Sequence, residues 1–323
     1  METHFAILTL ALLADRLLGD PQWLWERVRH PVVLFGSAID LADRLGNKSS
    51  QTESVRRRNG LIAIVILLFV VVAIGLALSR LLGILGVAGF LLEVAIVAVL
   101  LAQKSLGDHV GHVALALREG GIAGGREAVS RIVGRDPDSL DGSGICRAAI
   151  ESLSENFSDG VVAPALWYAV FGLPGILFYK MLNTADSMIG HRNERHGAFG
   201  RAAARLDDLA NWPAARLSAV LIAAGALIVR GGGAARRALD AARRDAALHR
   251  SPNAGWPECA MAGSLGLALA GARVYGGVVV REPYMNAVGR RHLTVDDIDA
   301  ALDVFHAACT VLICLAAVLF LLL

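Results

Sequence analysis

Long apolar runs, not a regular alternation of apolar and polar positions, dominate the hydropathy pattern of this chain. Segment 61–79, LIAIVILLFVVVAIGLALS, carries no charge, and segment 81–102 follows at once, interrupted only by Glu93. A helix that crosses a bilayer needs about 20 mostly apolar residues. The two segments therefore predict a tight helical hairpin through a membrane. Segment 303–323 predicts a third span, 213–229 a fourth, and 5–18 a short one at the start of the chain. Segments 161–182 and 257–280 are apolar but hold Pro164, Pro174, Gly172, Gly175 and many small residues. They predict broken or re-entrant helices, which membranes tolerate where the backbone lines a cavity. The fold class expected is all-α: a polytopic integral membrane protein with broken or re-entrant helices, cytoplasmic helical segments, and one membrane-embedded domain over 1–323.

Three polar segments separate the spans. Segment 103–160 predicts helix with turns near 134–137 and 141–144, 183–212 is dense in charge and amide, and 230–256 predicts a basic helix after a glycine linker. No internal repeat is evident. Arg56, Arg57 and Arg58 precede the hairpin and place its ends in the cytoplasm by the positive-inside rule. The same rule leaves the crossing of 161–229 open. Two full spans would put 183–212 outside, and a re-entrant 161–182 would put it inside.

Composition agrees with a membrane protein. Of 323 residues 55% are hydrophobic, above the 45–50% usual for soluble domains, and mean hydropathy is +0.54. A net charge of +2 gives no argument for nucleic acid. Cys146, Cys259, Cys309 and Cys314 form no C-x-x-C pair and are expected to be small buried hydrophobes. The first apolar run has no Lys or Arg before Arg16 and no small-residue cleavage site, so it is expected to stay as a helix.

The densest polar signal is 147–160. Arg147, Glu151 and Glu155 recur at i, i+4 on one helical face, with Asn156 and Asp159 beyond. Carboxylates on one stripe leading into an apolar segment suit a divalent cation or a general base; an ordinary ladder of surface ion pairs has the same spacing. Lys180, Asn183, Thr184 and Ser187 fall on one face with Asp186 beside them. Charge in an apolar helix costs about 2.5–3.5 kcal/mol even on the mildest scale, which points such residues to a cavity or to each other. Lys180 alone could equally reach the interface along its own stem. Arg192, Asn193, Arg195, Arg201, Arg205, Asp207, Asp208 and Asn211 follow, and arginine forks suit phosphate or carboxylate. His191 and His196 are five apart, not the four of a helical zinc site. Asp20 and His30 sit in an N-terminal turn, and Asn253 and Glu258 in a loop before a small-residue helix, whose spacing also fits close helix packing. Glu93 is expected to face the bundle interior rather than lipid. No P-loop, G-x-S-x-G, H-E-x-x-H or cysteine zinc set occurs.

Four blocks carry a resemblance: ESLSENFSDGVVAP (151–164), YKMLNTADSMIGHRNER (179–195), AAARLDDLANWPAARL (202–217) and SPNAGWPECAMAGSLG (251–266), with DRLLGDP (15–21) and HPVVLFG (30–36) before them. In these blocks the chain resembles the CobD/CbiB family, the adenosylcobinamide-phosphate synthases of cobalamin biosynthesis, over essentially its whole length. The resemblance implies a multi-pass protein of the cell inner membrane that joins an amino-alcohol phosphate to a propionate carboxylate of adenosylcobyric acid, a corrinoid, with ATP and Mg²⁺. It does not give individual roles. From side-chain chemistry, Glu151, Glu155, Asp159, Asp186, Asp207 and Asp208 are the catalytic candidates, with Glu155, Asp159 and Asp208 the Mg²⁺ ligands. Arg147, Asn156, Lys180, Asn183, Ser187, Arg192, Asn193, Arg195, Arg201, Asn211, Asn253, Glu258, Asp20 and His30 are the substrate- and phosphate-binding candidates. Lipid is the expected surround, with room left for a homo-oligomer and for other cobalamin-assembly enzymes as partners. Broken helices with intramembrane charge also fit a transporter, and the architecture is similar to the non-catalytic AmpE sensors; amide formation from added substrates separates an enzyme from both.

Overall fold

The computed structural model describes every residue except 1, 20–24, 28, 134–136, 192, 272, 276–277 and 281, and of 273–275 and 278–280 the backbone alone. Helices account for nearly all of it: α1 Glu2–Leu18, α2 Pro31–Gly46, α3 Glu53–Ile84, α4 Gly86–Leu100, α5 Gln103–Val129, α6 Gly142–Phe157, α7 Ala163–Ile189, α8 Arg201–Arg230, α9 Gly232–Asp245, α10 Gly255–Leu265 and α11 Val295–Leu322. Among the described residues five helical stretches are long and apolar enough to cross a membrane: Glu53–Ile84, Gly86–Val129, Gly142–Ile189, Arg201–Arg230 and Val295–Leu322. This is the polytopic helical class expected from the apolar runs. Along α3 the side chains of Ile62, Val65, Ile66, Phe69 and Ile74 all stand exposed. So large an outward apolar face suits hydrocarbon and not water.

The described chain divides into two compact units where one domain is expected. The first comprises 1–101, 163–211 and 316–323, and the second 102–162 and 212–315. In the first unit α3 packs on α7 and α4, α1 on α4, and α2 on α7 and α3. Gly75 makes the α3–α7 approach feasible: a Cβ there would stand 2.7 Å from Pro174 Cα. In the second unit α9 packs on α10, α5 on α6, and α10 on α6.

Three expectations change. The hairpin turn falls at Leu85 and Gly86, beyond Arg80. The helix absorbs one arginine, whereas Gly86 at φ +55° leaves helical space. Segment 257–280, expected as a broken or re-entrant span, is helical only in its first part. An 11-residue helix, α10, ends at Gly266 in the left-handed region, and at 1.5 Å per residue it covers only about half the hydrocarbon core. Beyond it lie four short strands: β1 Leu269–Ala270, β2 Arg273–Tyr275, β3 Val278–Val280 and β4 Tyr284–Met285. They pair antiparallel as β1 with β4 and β2 with β3. The run of β-branched valines explains the switch to strand. Third, Cys314 is exposed on α11, while Cys146, Cys259 and Cys309 are buried free thiols as expected.

Segment 161–182 is a broken helix, as its glycines and prolines predict. The stretch Gly142–Ile189 passes through a π-helical turn at Ser158–Val162, and α7 is interrupted by Gly172 (φ 64°, ψ −150°), with Pro174 inside it. The long α8 carries Pro213 and contains 213–229.

Candidate functional site

α7 and the first turns of α8 bring most of the central candidates together in the first unit. Asp207 and Asn211 are one helical turn apart on α8 and buried. Asn211 Nδ2 donates to Asp207 Oδ2 at 2.8 Å, and the Tyr179 hydroxyl donates to Asn211 Oδ1 at 2.9 Å. Asn183, Asp186 and Asp208 all lie within electrostatic reach of the Asp207 carboxylate. Asp207 Oδ1 is nevertheless buried without a hydrogen-bond partner among the described residues. An acid oxygen left unsatisfied inside a protein costs roughly 1–3 kcal/mol or more, so this geometry is built to receive a proton, a donor group or a cation. Lys180 sits half-buried on α7 beside Tyr179. Thr184 and Ser187 hydroxyls donate to the carbonyls of Lys180 and Asn183, so they serve the helix backbone.

After α7 the chain turns through 190–200. Asn193 Oδ1 accepts the His196 backbone N–H at 2.7 Å and shapes that turn. Arg195 reaches back to α2: Nε and Nη2 donate to Asp43 Oδ2 at 3.2 and 2.5 Å, and Asn47 Nδ2 donates to Asp43 Oδ1 at 2.7 Å. Burial would raise the Asp43 pKa, but the Asn47 bond and the Arg195 guanidinium hold it below the usual carboxylate value, and Arg195 is raised in turn. Arg201 is exposed on α8. His30 caps α2, its Nδ1 accepting from Val32 N at 3.2 Å. Asp20 and Arg192 lie outside the described residues. Glu93 takes the Tyr168 hydroxyl on Oε1 at 2.7 Å, facing the bundle as expected.

The second unit holds the remaining candidates, and the structure gives several of them structural partners. Glu151 accepts the Ala270 backbone N–H at 2.6 Å, which fixes a residue at φ 60° within β1, opposite Tyr284 of β4. Arg147 Nε donates to Ala268 O at 3.4 Å, its Nη2 donates to Arg291 O, and its guanidinium lies over the Tyr284 ring. Glu155 and Asn156 are exposed on α6, and Asp159 is half-buried in the π turn. Asn156 Nδ2 donates to Ser152 O at 2.9 Å. Asn253 and Glu258 are buried. Asn253 Oδ1 accepts from Arg216 Nη1 at 3.4 Å, and Glu258 Oε1 stands 3.7 Å from His249 Nε2. Arg216 is itself stacked on Trp212 and Trp256, 4.1 and 4.7 Å from the ring centres.

Glu155 and Asp159 thus belong to one unit and Asp208 to the other. Among the described residues no three His, Cys, Asp or Glu side chains form a ready metal cage. Spacing along one helix does not decide which acids meet, and the Glu155, Asp159, Asp208 set expected for Mg²⁺ spans both units. Asp43, Tyr179 and Arg216 escape the sequence reading. Asp43 sits in an amphipathic helix, IDLADRLG, where its spacing from Asp40 is the one visible signal.

The family described as CobD/Cbib protein matches 8–305. The chain is 61% identical over 306 residues to "Cobalamin biosynthesis protein CobD" of Rhizobium meliloti (strain 1021), covering 95% of this chain and 94% of that one. It is 56% identical to the protein of that name from Brucella suis biovar 1 (strain 1330), covering 94% and 93%. To a Rhodobacter capsulatus protein of that name it is 43% identical, covering 87% and 86%. No solved structure matches.

Proposed function

The chain belongs to the CobD/CbiB family and acts in cobalamin biosynthesis, and from that premise we propose that it joins an amino-alcohol phosphate to a propionate carboxylate of adenosylcobyric acid at the expense of ATP. The product is adenosylcobinamide phosphate, and the site of action is the inner membrane. The observation that carries this reading is Asp207, a buried acid with one oxygen unpartnered among the described residues, set among two amides and two further acids.

Amide formation from a carboxylate needs an oxygen removed. The propionate oxygen attacks the γ-phosphorus of ATP and ADP leaves. The amine then attacks the acyl carbon, phosphate departs with the former carboxylate oxygen, and the amine gives up a proton. Asp207 Oδ1 accepts that proton. Asn211 holds the Asp207 carboxylate in place with Asn183 beside it, and Tyr179 holds Asn211. Lys180, Arg192 and Arg201 offer positive charge to phosphate. Mg²⁺, when bound, supplies charge neutralisation of the triphosphate. It commonly takes one or two carboxylates plus phosphate oxygens, and Asp186 and Asp208 beside the unsatisfied Asp207 fit that donor set without a protein-only cage.

The test is reconstitution. Purified protein in detergent receives ATP, Mg²⁺, adenosylcobyric acid and aminopropanol phosphate, and the amide and ADP are quantified by mass spectrometry. One ADP per amide is expected. Asp207→Asn should lower kcat by about 10²-fold or more with an unchanged size-exclusion profile. No amide from the wild-type protein, or wild-type turnover by Asp207→Asn, would contradict the assignment. Ethanolamine phosphate and a threonine-derived phosphate, run in parallel, identify the preferred amine.

A further inference from the structure

The end of α7, the following turn and α2 enclose a cleft of about 310 Å³ lined by Asp40, Asp43, Met188, Ile189, Arg195 and His196. No step proposed above uses it. The cleft lies wholly within the first unit and begins two residues beyond Asp186 on the same helix. Its charges are mixed by construction. Arg195 spends Nε and Nη2 on Asp43, and its Nη1 has no partner among the described residues. Asp40 gives Oδ2 to Arg44 at 2.6 Å, and its other oxygen has no described partner. His196 turns Nε2 toward Asp43 Oδ1 at 3.7 Å. Met188 and Ile189 form an apolar wall, and Met188 packs against α2 near Gly36.

An anion alone would meet the Asp40 and Asp43 carboxylates, and a cation alone would meet Arg195 and Arg44. A short molecule with both ends charged satisfies the cleft at once. We propose that the cleft binds a small zwitterion carrying a phosphate at one end and an ammonium at the other, with Arg195 on the phosphate, Asp40 on the ammonium, and Met188 and Ile189 on the carbon chain. Asp43 is the positioning residue that holds Arg195. This inference rests on the ligation reading, in which the zwitterion is the amino-alcohol phosphate. Size supports it: about 300 Å³ is the lower end of small-molecule pockets, far below what a corrinoid needs. A triphosphate with its several negative charges would face two carboxylates across one open guanidinium nitrogen.

Isothermal titration of the full chain in detergent, with and without ATP and Mg²⁺, tests the site with three probes: aminopropanol phosphate, aminopropanol and isopropyl phosphate. The wild-type protein should bind the zwitterion more tightly than either half. Arg195→Gln should weaken zwitterion binding at least tenfold, with partial recovery in Arg195→Lys. Asp40→Asn, a half-exposed change whose structural cost is confined to the surface pair with Arg44, should weaken the zwitterion several-fold without weakening isopropyl phosphate. Wild-type affinity and an unchanged KM for the amine in both Arg195→Gln and Asp40→Asn would overturn the proposal, even if ligation is normal. Charge-dependent binding in a protein that forms no amide would uphold the cleft and remove the ligation reading instead.

Discussion

Two buried acids differ in how their oxygens are satisfied. Asp245 on α9 has both oxygens satisfied: Arg244 Nε donates to Oδ1 at 2.8 Å, and Arg244 Nη2 and Asn286 N donate to Oδ2 at 2.7 and 2.8 Å. Asp207 keeps one oxygen without a partner among the described residues. The Arg244 bond, offset in part by burial and aided by the Asn286 N–H, holds the Asp245 pKa below its ordinary 3.8. A depressed folded-state pKa means stability that is present above the ordinary value and lost as pH falls through the folded one. Asp245→Ala should therefore cost roughly 1–3 kcal/mol near neutral pH, and the gap from wild type should close between about pH 5 and pH 2. Thermal unfolding of both proteins across that range measures it; a gap that widens on acidification would refute the linkage. The same contrast marks how far the site can be read without a structure. Asn183, Asp186, Asp207, Asp208 and Asn211 announce themselves because polar groups in apolar helices are costly. That Glu151 is occupied by the Ala270 N–H, 119 residues away, leaves no trace in its i, i+4 spacing. Nor does the Arg195–Asp43 pair, 152 residues apart.

At the level of elements, small residues decide where helices approach and where they end. Gly75 on α3 faces Pro174 of α7, and an added Cβ would lie 2.7 Å from Pro174 Cα and 2.9 Å from its nitrogen, both backbone atoms that cannot yield cheaply. Gly83, two turns further along the same helix, has open space. Gly75→Ala should therefore destabilise by about 1–3 kcal/mol, while Gly83→Ala, relieved of glycine's entropy, should be neutral or stabilising by up to about 1 kcal/mol. Midpoints of unfolding in detergent rank the two; equal effects would mean that α3 does not meet α7 at Gly75. Helix identity was legible from the apolar runs, since 61–79, 213–229 and 303–323 all fall on observed helices. Helix ends were less so. Arg80 resembles a boundary in a hydropathy plot but does not break hydrogen bonding, and the true turn depends on the positive φ of Gly86. The apolar stretch after 265 has the hydropathy of a span, and its glycines at 266 and 271 with the valines of β3 make strands instead.

For the whole molecule, the membrane side of the central motif follows from contacts within the first unit. The positive-inside rule puts Arg56, Arg57 and Arg58, at the start of α3, in the cytoplasm. Arg56 Nη2 donates to Glu194 O at 3.0 Å and to Arg195 O, and Asn47 Nδ2 donates to Arg195 O at 2.9 Å. A Cβ on Gly60 would collide with Phe199 O. The turn at 190–200 is therefore expected on the side of the arginine cluster, the side that charge counting alone leaves open for 183–212. Cytoplasmic placement also suits the water-soluble ATP and amine of the proposed ligation. The opposite end of α3 lies across the bilayer, because its 32 residues extend about 48 Å at 1.5 Å each, beyond a hydrocarbon core of roughly 30 Å. Cysteine scanning with a membrane-impermeant maleimide separates the two ends in a chain whose four native cysteines are replaced. Glu194→Cys should label in inverted vesicles and stay unlabelled in spheroplasts. Val87→Cys, 77% exposed beside the hairpin turn, should show the reverse pattern. Labelling of both from the same side would break either the arginine assignment or the crossing of α3, and the cleft between α2 and the end of α7 would then have to draw its substrate from the other compartment.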